Sequence, residues 1–131
     1  MGPVVEEMLR LEPPAPVVTR ITTRDVEVCG VRIPAGESVV RYLGTANRDP
    51  SRYERPDTFD LAHAGGGHMT FGVGIHRCLG SHLARIELRT ALRLWHDRIP
   101  EYHIKPGVEL DFTPGVRATQ TFPMILHTGA D

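Results

Sequence analysis

The apolar positions of this chain change their period several times, and each change marks an element. Val4, Val5, Met8, Leu9 and Leu11 recur at helical spacing after Pro3, a residue tolerated in a first turn, and Pro13-Pro14 stops the pattern. A short helix is expected there. From Val17 to Val40 the texture turns β-branched: Val26 and Val28, then Val31 and Ile33, flank Cys29-Gly30, and Pro34-Ala35-Gly36 makes a second turn ahead of Val39-Val40. This predicts a hairpin and a returning strand. Between Thr45 and Thr70 the period fades among Asp49-Pro50, Arg55-Pro56-Asp57 and Gly65-Gly66-Gly67, which predicts a short helical turn and a long irregular segment. The longest helical pattern runs from Leu79 to Trp95, with Ala84, Leu88, Ala91, Leu92 and Trp95 on one stripe and Arg85, Arg89 and Arg93 on another. From His103 to Asp131 weak alternation around Pro106-Gly107 and Pro114-Gly115 predicts short strands joined by tight turns. The fold class is α+β, and 131 residues suit one compact core.

Composition narrows the classes of function. Hydrophobic residues at 40% and charged residues at 24% are the balance of an ordinary globular chain, not of a disordered or fibrous one. A formal net charge of -1 supplies no positive field to gather phosphate backbones, so nucleic acid is not an expected partner. No apolar run reaches the length of a bilayer span and no basic leader opens the chain, so no membrane association is expected and a cytoplasmic location is. The two cysteines, Cys29 and Cys78, show no disulfide pattern, and each stands alone.

Candidate chemistry concentrates in Phe71-Gly72-Val73-Gly74-Ile75-His76-Arg77-Cys78-Leu79-Gly80, a glycine-rich loop that delivers a cysteine to the start of the long helix. A helix N-terminus presents unpaired backbone N–H groups and a positive dipole end, an environment suited to an anionic sulfur ligand. Gly72, Gly74 and Gly80 leave room for a flat macrocycle to approach the backbone, and Phe71 would shield the sulfur from water. Other readings fall away. His63, His68, His76 and His82 lack the paired spacing of a structural zinc site and read as loop or surface residues apart from His76. Gly65-Gly66-Gly67 lacks the Gly-Lys-Ser/Thr of a phosphate loop, and Gly72-x-Gly74 lacks the third glycine of a dinucleotide fingerprint.

Phe71, Gly74, His76, Cys78 and Gly80 match Phe-x-x-Gly-x-His-x-Cys-x-Gly, and on this motif, extended by Leu83, Ala84 and Arg85, the chain resembles the soluble, bacterial-type cytochrome P450 family. Glu7 and Arg10 resemble the family's Glu-x-x-Arg pair, which in that family braces the cysteine loop. On residues alone they could equally be an exposed i,i+3 ion pair, with Glu6 as a competing partner for Arg10. Arg20 lies ahead of Cys29-Gly30-Val31-Arg32-Ile33-Pro34-Ala35-Gly36-Glu37, which is similar to the family's hairpin, and Ala46-Asn47-Arg48-Asp49-Pro50 and Pro56-Asp57-Thr58-Phe59-Asp60-Leu61 resemble its meander. One position departs: Thr58 stands where an arginine commonly completes the Glu-Arg network, with Arg52, Arg55 or His63 as possible replacements.

What the resemblance implies is a heme-thiolate monooxygenase. Cys78 would be the catalytic thiolate and metal ligand, and heme b would sit among Arg20, Phe71, Gly72, His76, Cys78, Gly80 and Ala84, with Arg20 and His76 on its propionates. A small organic substrate, O2 and a ferredoxin- or flavodoxin-type electron donor would be its partners, the donor docking near Arg77, Arg85 and Arg89. Residues 1–131 would form only the C-terminal, heme-binding part of the family's fold, without the helices that precede it, and substrate would be approached only by the segment after Pro16 and by residues 119–122. Two further readings stay open at this level: a heme-binding module without turnover, and a degenerate remnant without cofactor.

Overall fold

A computed structural model describes residues 1–127. Helix α1, Gly2–Leu11, holds Pro3 in its first turn and buries Val5, Glu7, Leu9 and Arg10. Strand β1, Val17–Ile21, pairs antiparallel with β4, Ser38–Tyr42, and the hairpin of β2, Val26–Val28, and β3, Val31–Ile33, lies between them in sequence. Cys29 and Gly30 take φ values of 50° and 79°, the two left-handed residues of a type I′ turn, so the turn falls where the sequence puts it. Helix α2, Leu43–Ala46, follows β4 directly. The meander then runs with two 3₁₀ turns, Leu61–Gly65 and Gly74–His76, into α3, Ser81–Arg98. Strands β5, Glu101–Ile104, and β6, Met124–His127, close an antiparallel pair. The expected strands toward Asp131 extend past the described residues.

Three two-stranded ribbons and three helices leave a small core: Val5, Leu9, Leu43 and Tyr53 are its buried apolar side chains. Many large apolar residues stay on the surface, among them Ile75 at 97% and Leu79 at 98% exposure, on either side of Cys78 in the sequence. The buried interior is unusually polar, with Glu7, Arg10, Asn47, Thr70 and Ser81 inside it. Helix α1 is therefore the element on which meander, cysteine loop and α3 converge, and it does so through hydrogen bonds more than through apolar contact. No helix among the described residues is long and apolar enough to cross a membrane.

Candidate functional site

Glu7 and Arg10 are not an exposed pair. Their side chains are 0% and 1% exposed, and the guanidinium meets the carboxylate as a fork, Nε to Oε2 at 2.8 Å and Nη2 to Oε1 at 2.7 Å. The remaining donors of Arg10 reach the backbone of the meander: Nη1 donates to the carbonyls of Asn47 at 2.8 Å and Pro56 at 2.7 Å, and Nη2 to that of Thr58 at 3.2 Å. All five N–H groups of the guanidinium are thereby used. His63 Nδ1 lies 3.1 Å from Glu7 Oε1, and with Arg10 fully committed its role is to donate to Glu7. The backbone N–H of Asp60 gives Glu7 Oε1 a further donor at 3.0 Å. Of the three replacements open for the missing arginine, His63 is thus the one the fold uses, while Thr58 contributes only its carbonyl. The Tyr53 ring closes the assembly, 4.7 Å from the Arg10 guanidinium and edge-on to His63.

Burial opposes ionisation of Glu7, but the hydrogen bonds from Arg10, Asp60 and His63 outweigh it and hold the carboxyl at about 2, below its ordinary 4.5. A carboxyl depressed in the folded state stabilises fully above its unfolded value, and that contribution is lost as the pH falls through the folded one. Unfolding midpoints should therefore decline between pH 4.5 and about 2. Denaturant titrations at stepped pH check this, and an unchanged midpoint across that window would contradict it.

A second polar joint ties the cysteine loop to α1. Asn47 donates through Nδ2 to the Arg10 carbonyl at 3.0 Å and to Thr70 Oγ1 at 2.9 Å, and its Oδ1 accepts the Met69 N–H at 2.7 Å. Thr70 in turn donates to the Leu9 carbonyl at 2.6 Å. One residue before Phe71, the loop is thus hydrogen-bonded to the end of α1. Asn47 and Thr70 lie in irregular segments without periodicity, and their pairing is legible only in the fold.

Arg85 is drawn into a third joint. It meets Glu6 as a fork, 2.7 and 2.9 Å, and its guanidinium stacks 4.7 Å over the Phe71 ring. His68 donates through Nε2 to Glu6 at 3.2 Å while its Nδ1 accepts the Thr70 N–H at 3.3 Å, which fixes the neutral tautomer; burial lowers its pKa, against the pull of Glu6. Two expectations are corrected here. Arg85 faces α1 rather than a docking partner, and Glu6, the competitor expected for Arg10, is committed to Arg85 instead. His63 and His68 are buried parts of the scaffold, not surface residues, with side chains 9% and 4% exposed. His82 is exposed, as expected.

On this scaffold the loop from Phe71 to Gly80 turns through Gly72 and Gly74, with φ of +66° and +67°, angles that residues with a Cβ rarely adopt. The Cys78 N–H donates to the Phe71 carbonyl at 2.8 Å and its own carbonyl accepts from Ser81 at 3.3 Å, so the cysteine is held just before the first turn of α3. Its side chain is exposed. A Cβ on Gly80 would come 3.9 Å from the Cys78 sulfur. A cleft of about 310 Å³ beside the loop brings Arg20, Phe71, Gly72, His76 and Cys78 together, with Pro14, Ala15, Val18, Leu43 and Val73 among its walls. Ala84 lines a neighbouring hollow with Phe71 and Leu88 instead. Of the segments expected near substrate, the one after Pro16 reaches the cleft through Val18 and Arg20, and 119–122 do not line it.

The lining fits a heme. Its walls are apolar, it holds no carboxylate, its charged groups are arginines suited to propionates, and a cysteine sulfur is the one thiol present. Arg41, one position past the last apolar pair of its strand, lines it too.

The family model for Cytochrome P450 matches residues 2–95. The chain is 40% identical over 126 residues to the biotin biosynthesis cytochrome P450 of Bacillus subtilis, covering 95% of this chain and 32% of that one. It is 46% identical over 108 residues to cytochrome P450 105C1 of a Streptomyces species, covering 81% and 28%. Among solved structures, P450BioI in complex with an acyl carrier protein carrying hexadec-9Z-enoic acid superposes with a TM-score of 0.89 at 40% identity, over 96% of this chain and 33% of that one. CYP109E1 from Bacillus megaterium in complex with testosterone also gives 0.89, at 34% identity over 99% and 36%. The chain spans roughly a third of the length of the relatives it matches.

Proposed function

Because this chain belongs to the cytochrome P450 family, we propose that residues 1–131 are the C-terminal, heme-binding portion of a monooxygenase that inserts one oxygen atom from O2 into a small organic substrate. The observation that carries the reading is the cleft in which Cys78, Arg20 and His76 meet among apolar walls. Cys78 would supply the thiolate that holds heme b, Arg20 and His76 would meet its propionates, and Phe71, Gly72 and Gly80 would lie beside it. Ala84 lies under the loop on α3. When bound, a thiolate-ligated heme supplies activation of O2 with two electrons from a donor. The chain's part is to hold a cysteine at a fixed place and to exclude water from it on the side of Phe71. The three polar joints give that position its rigidity, since they tie the meander, the base of the loop and α3 to α1.

One spectrum tests the assignment. After addition of hemin, reduction and exposure to CO, the protein should show a strongly red-shifted Soret band, the signature of thiolate ligation. A band at the position typical of histidine-ligated heme, or a colourless protein, would overturn it, the latter in favour of a remnant without cofactor.

The electron donor is an acidic ferredoxin or flavodoxin that docks over the sulfur side. Arg77 and Arg89 are exposed there and carry no ion pair among the described residues, in contrast to Arg85. Arg77→Glu with Arg89→Glu should slow reduction of the heme by such a donor about tenfold at low salt, and the difference should shrink as ionic strength rises. Stopped-flow reduction at several salt concentrations measures it, and equal rates at low salt would remove this docking face.

A further inference from the structure

Arg41 shares the cleft with Cys78 but has no part in the set formed by Arg20, His76 and Cys78. In the β1–β4 ladder Val18 faces Arg41 and Arg20 faces Val39, so the two arginines are diagonal neighbours on one face of the ribbon. Such positions lie about 7–8 Å apart, within mutual reach of long side chains. Elsewhere the arginines with a structural task have an acid: Arg10 has Glu7, Arg85 has Glu6, Arg48 has Asp57 and Arg117 has Glu12. Among the described residues neither Arg20 nor Arg41 forms an ion pair, and Arg20 donates only to the adjacent Thr19 carbonyl, at 2.8 Å. No acid lines the cleft either. Two like charges on one face of a ribbon repel, and the repulsion turns into attraction once an anion lies between them. A guanidinium pair without a carboxylate partner matches a carboxylate better than it matches any other common anion except phosphate, and the apolar walls favour a carboxylate borne on a hydrocarbon body.

We propose that Arg20 and Arg41 form a two-arginine clamp for carboxylate in this cleft, Arg41 supplying the arm that the ribbon register places opposite Val18. The proposal rests on the heme reading of the cleft. Two carboxylates of the same chemistry are available to it: a propionate of the heme, or the carboxylate of an organic acid substrate lying over the ring.

The test compares the full chain with its Arg41→Gln and Arg41→Lys variants. Arg41 is exposed on a strand, so neither change disturbs the core. In the first arm, loss of heme to an excess of apo-globin is followed for protein loaded with hemin or with hemin dimethyl ester, which lacks free carboxylates. Arg41→Gln should release hemin about tenfold faster, Arg41→Lys should retain most of the wild-type value, and the ester should leave all three at the same rate. In the second arm, dodecanoate and dodecanol are titrated into the heme-loaded proteins and read from the heme absorption. Unchanged hemin release with dodecanoate binding weakened about tenfold, and dodecanol unaffected, places the clamped carboxylate on the substrate. If Arg41→Gln changes neither hemin release nor dodecanoate binding, the clamp is refuted, and a normal thiolate band in the same samples shows the heme reading intact. Absence of that band from the unmodified chain would overturn both together.

Discussion

Glu7→Gln is expected to destabilise the fold by about 3–5 kcal/mol, enough to leave little of the roughly 5–15 kcal/mol that holds a typical domain. The size follows from what is left behind. Arg10 is buried with all five donors directed at fixed acceptors, and its guanidinium cannot shed its proton in a protein. A glutamine keeps the shape of Glu7 but removes the opposing charge, and its amide N–H groups would face donors from Arg10, His63 or Asp60. The reverse substitution behaves differently. In Arg10→Met the stranded group is a carboxylate, which can neutralise itself by taking a proton, so its penalty should shrink as the pH is lowered toward and below 4.5. Urea unfolding of both variants at neutral and mildly acidic pH separates the two cases. Equal and small losses for both at every pH would mean that the pair is solvated in solution and is not the keystone of the scaffold.

Cys78→Ser should abolish the red-shifted band of the reduced, CO-exposed protein altogether, leaving heme binding weakened rather than lost. A serine hydroxyl fits the same space, and the backbone bonds that place residue 78, from its N–H to Phe71 and from Ser81 to its carbonyl, do not involve the side chain. The fold should therefore remain, with an unfolding midpoint close to that of the parent. What disappears is the anionic sulfur donor, which no other residue in the cleft can replace, Cys29 being in the distant β2–β3 turn. Retention of the band in Cys78→Ser would assign thiolate ligation elsewhere. A collapse of stability alongside its loss would make Cys78 a structural residue in addition to a ligand.

The scaffold explains why so much polar machinery sits under one loop. Glu7 with Arg10, Asn47 with Thr70, and Glu6 with Arg85 each join α1 to a different part of the chain: the meander, the base of the cysteine loop, and α3. Apolar contacts alone would permit sliding, whereas a fully satisfied set of directional bonds admits one arrangement. Among the described residues no buried side-chain nitrogen or oxygen lacks a partner.

Local pattern was enough to read the helices, the Cys29-Gly30 turn and the cysteine loop, because each depends on neighbours a few residues away: periodicity for α1 and α3, two left-handed positions for the turn, the glycines of the loop. The motif around Cys78 likewise named the family and the place of the candidate ligand. Long-range pairing was a different matter. Which charges would be buried was open in the sequence, since an i,i+3 Glu-Arg pair looks the same on a solvated face as inside a core, and burial depends on what packs over it. The replacement for the arginine missing at Thr58 was reduced to three candidates and no further, because Arg52, Arg55 and His63 differ only in where the meander carries them. Arg85 fell on the charged stripe of α3 by period, yet it faces Glu6 because α1 crosses that side of the helix. Arg41 lay beyond the last apolar pair of its strand, and only the register against β1 brings it level with Val18 and into the cleft. Local pattern carried the elements and the family; which ionisable groups face one another was settled only by the folded chain, because that choice is made by contacts between segments up to 105 positions apart.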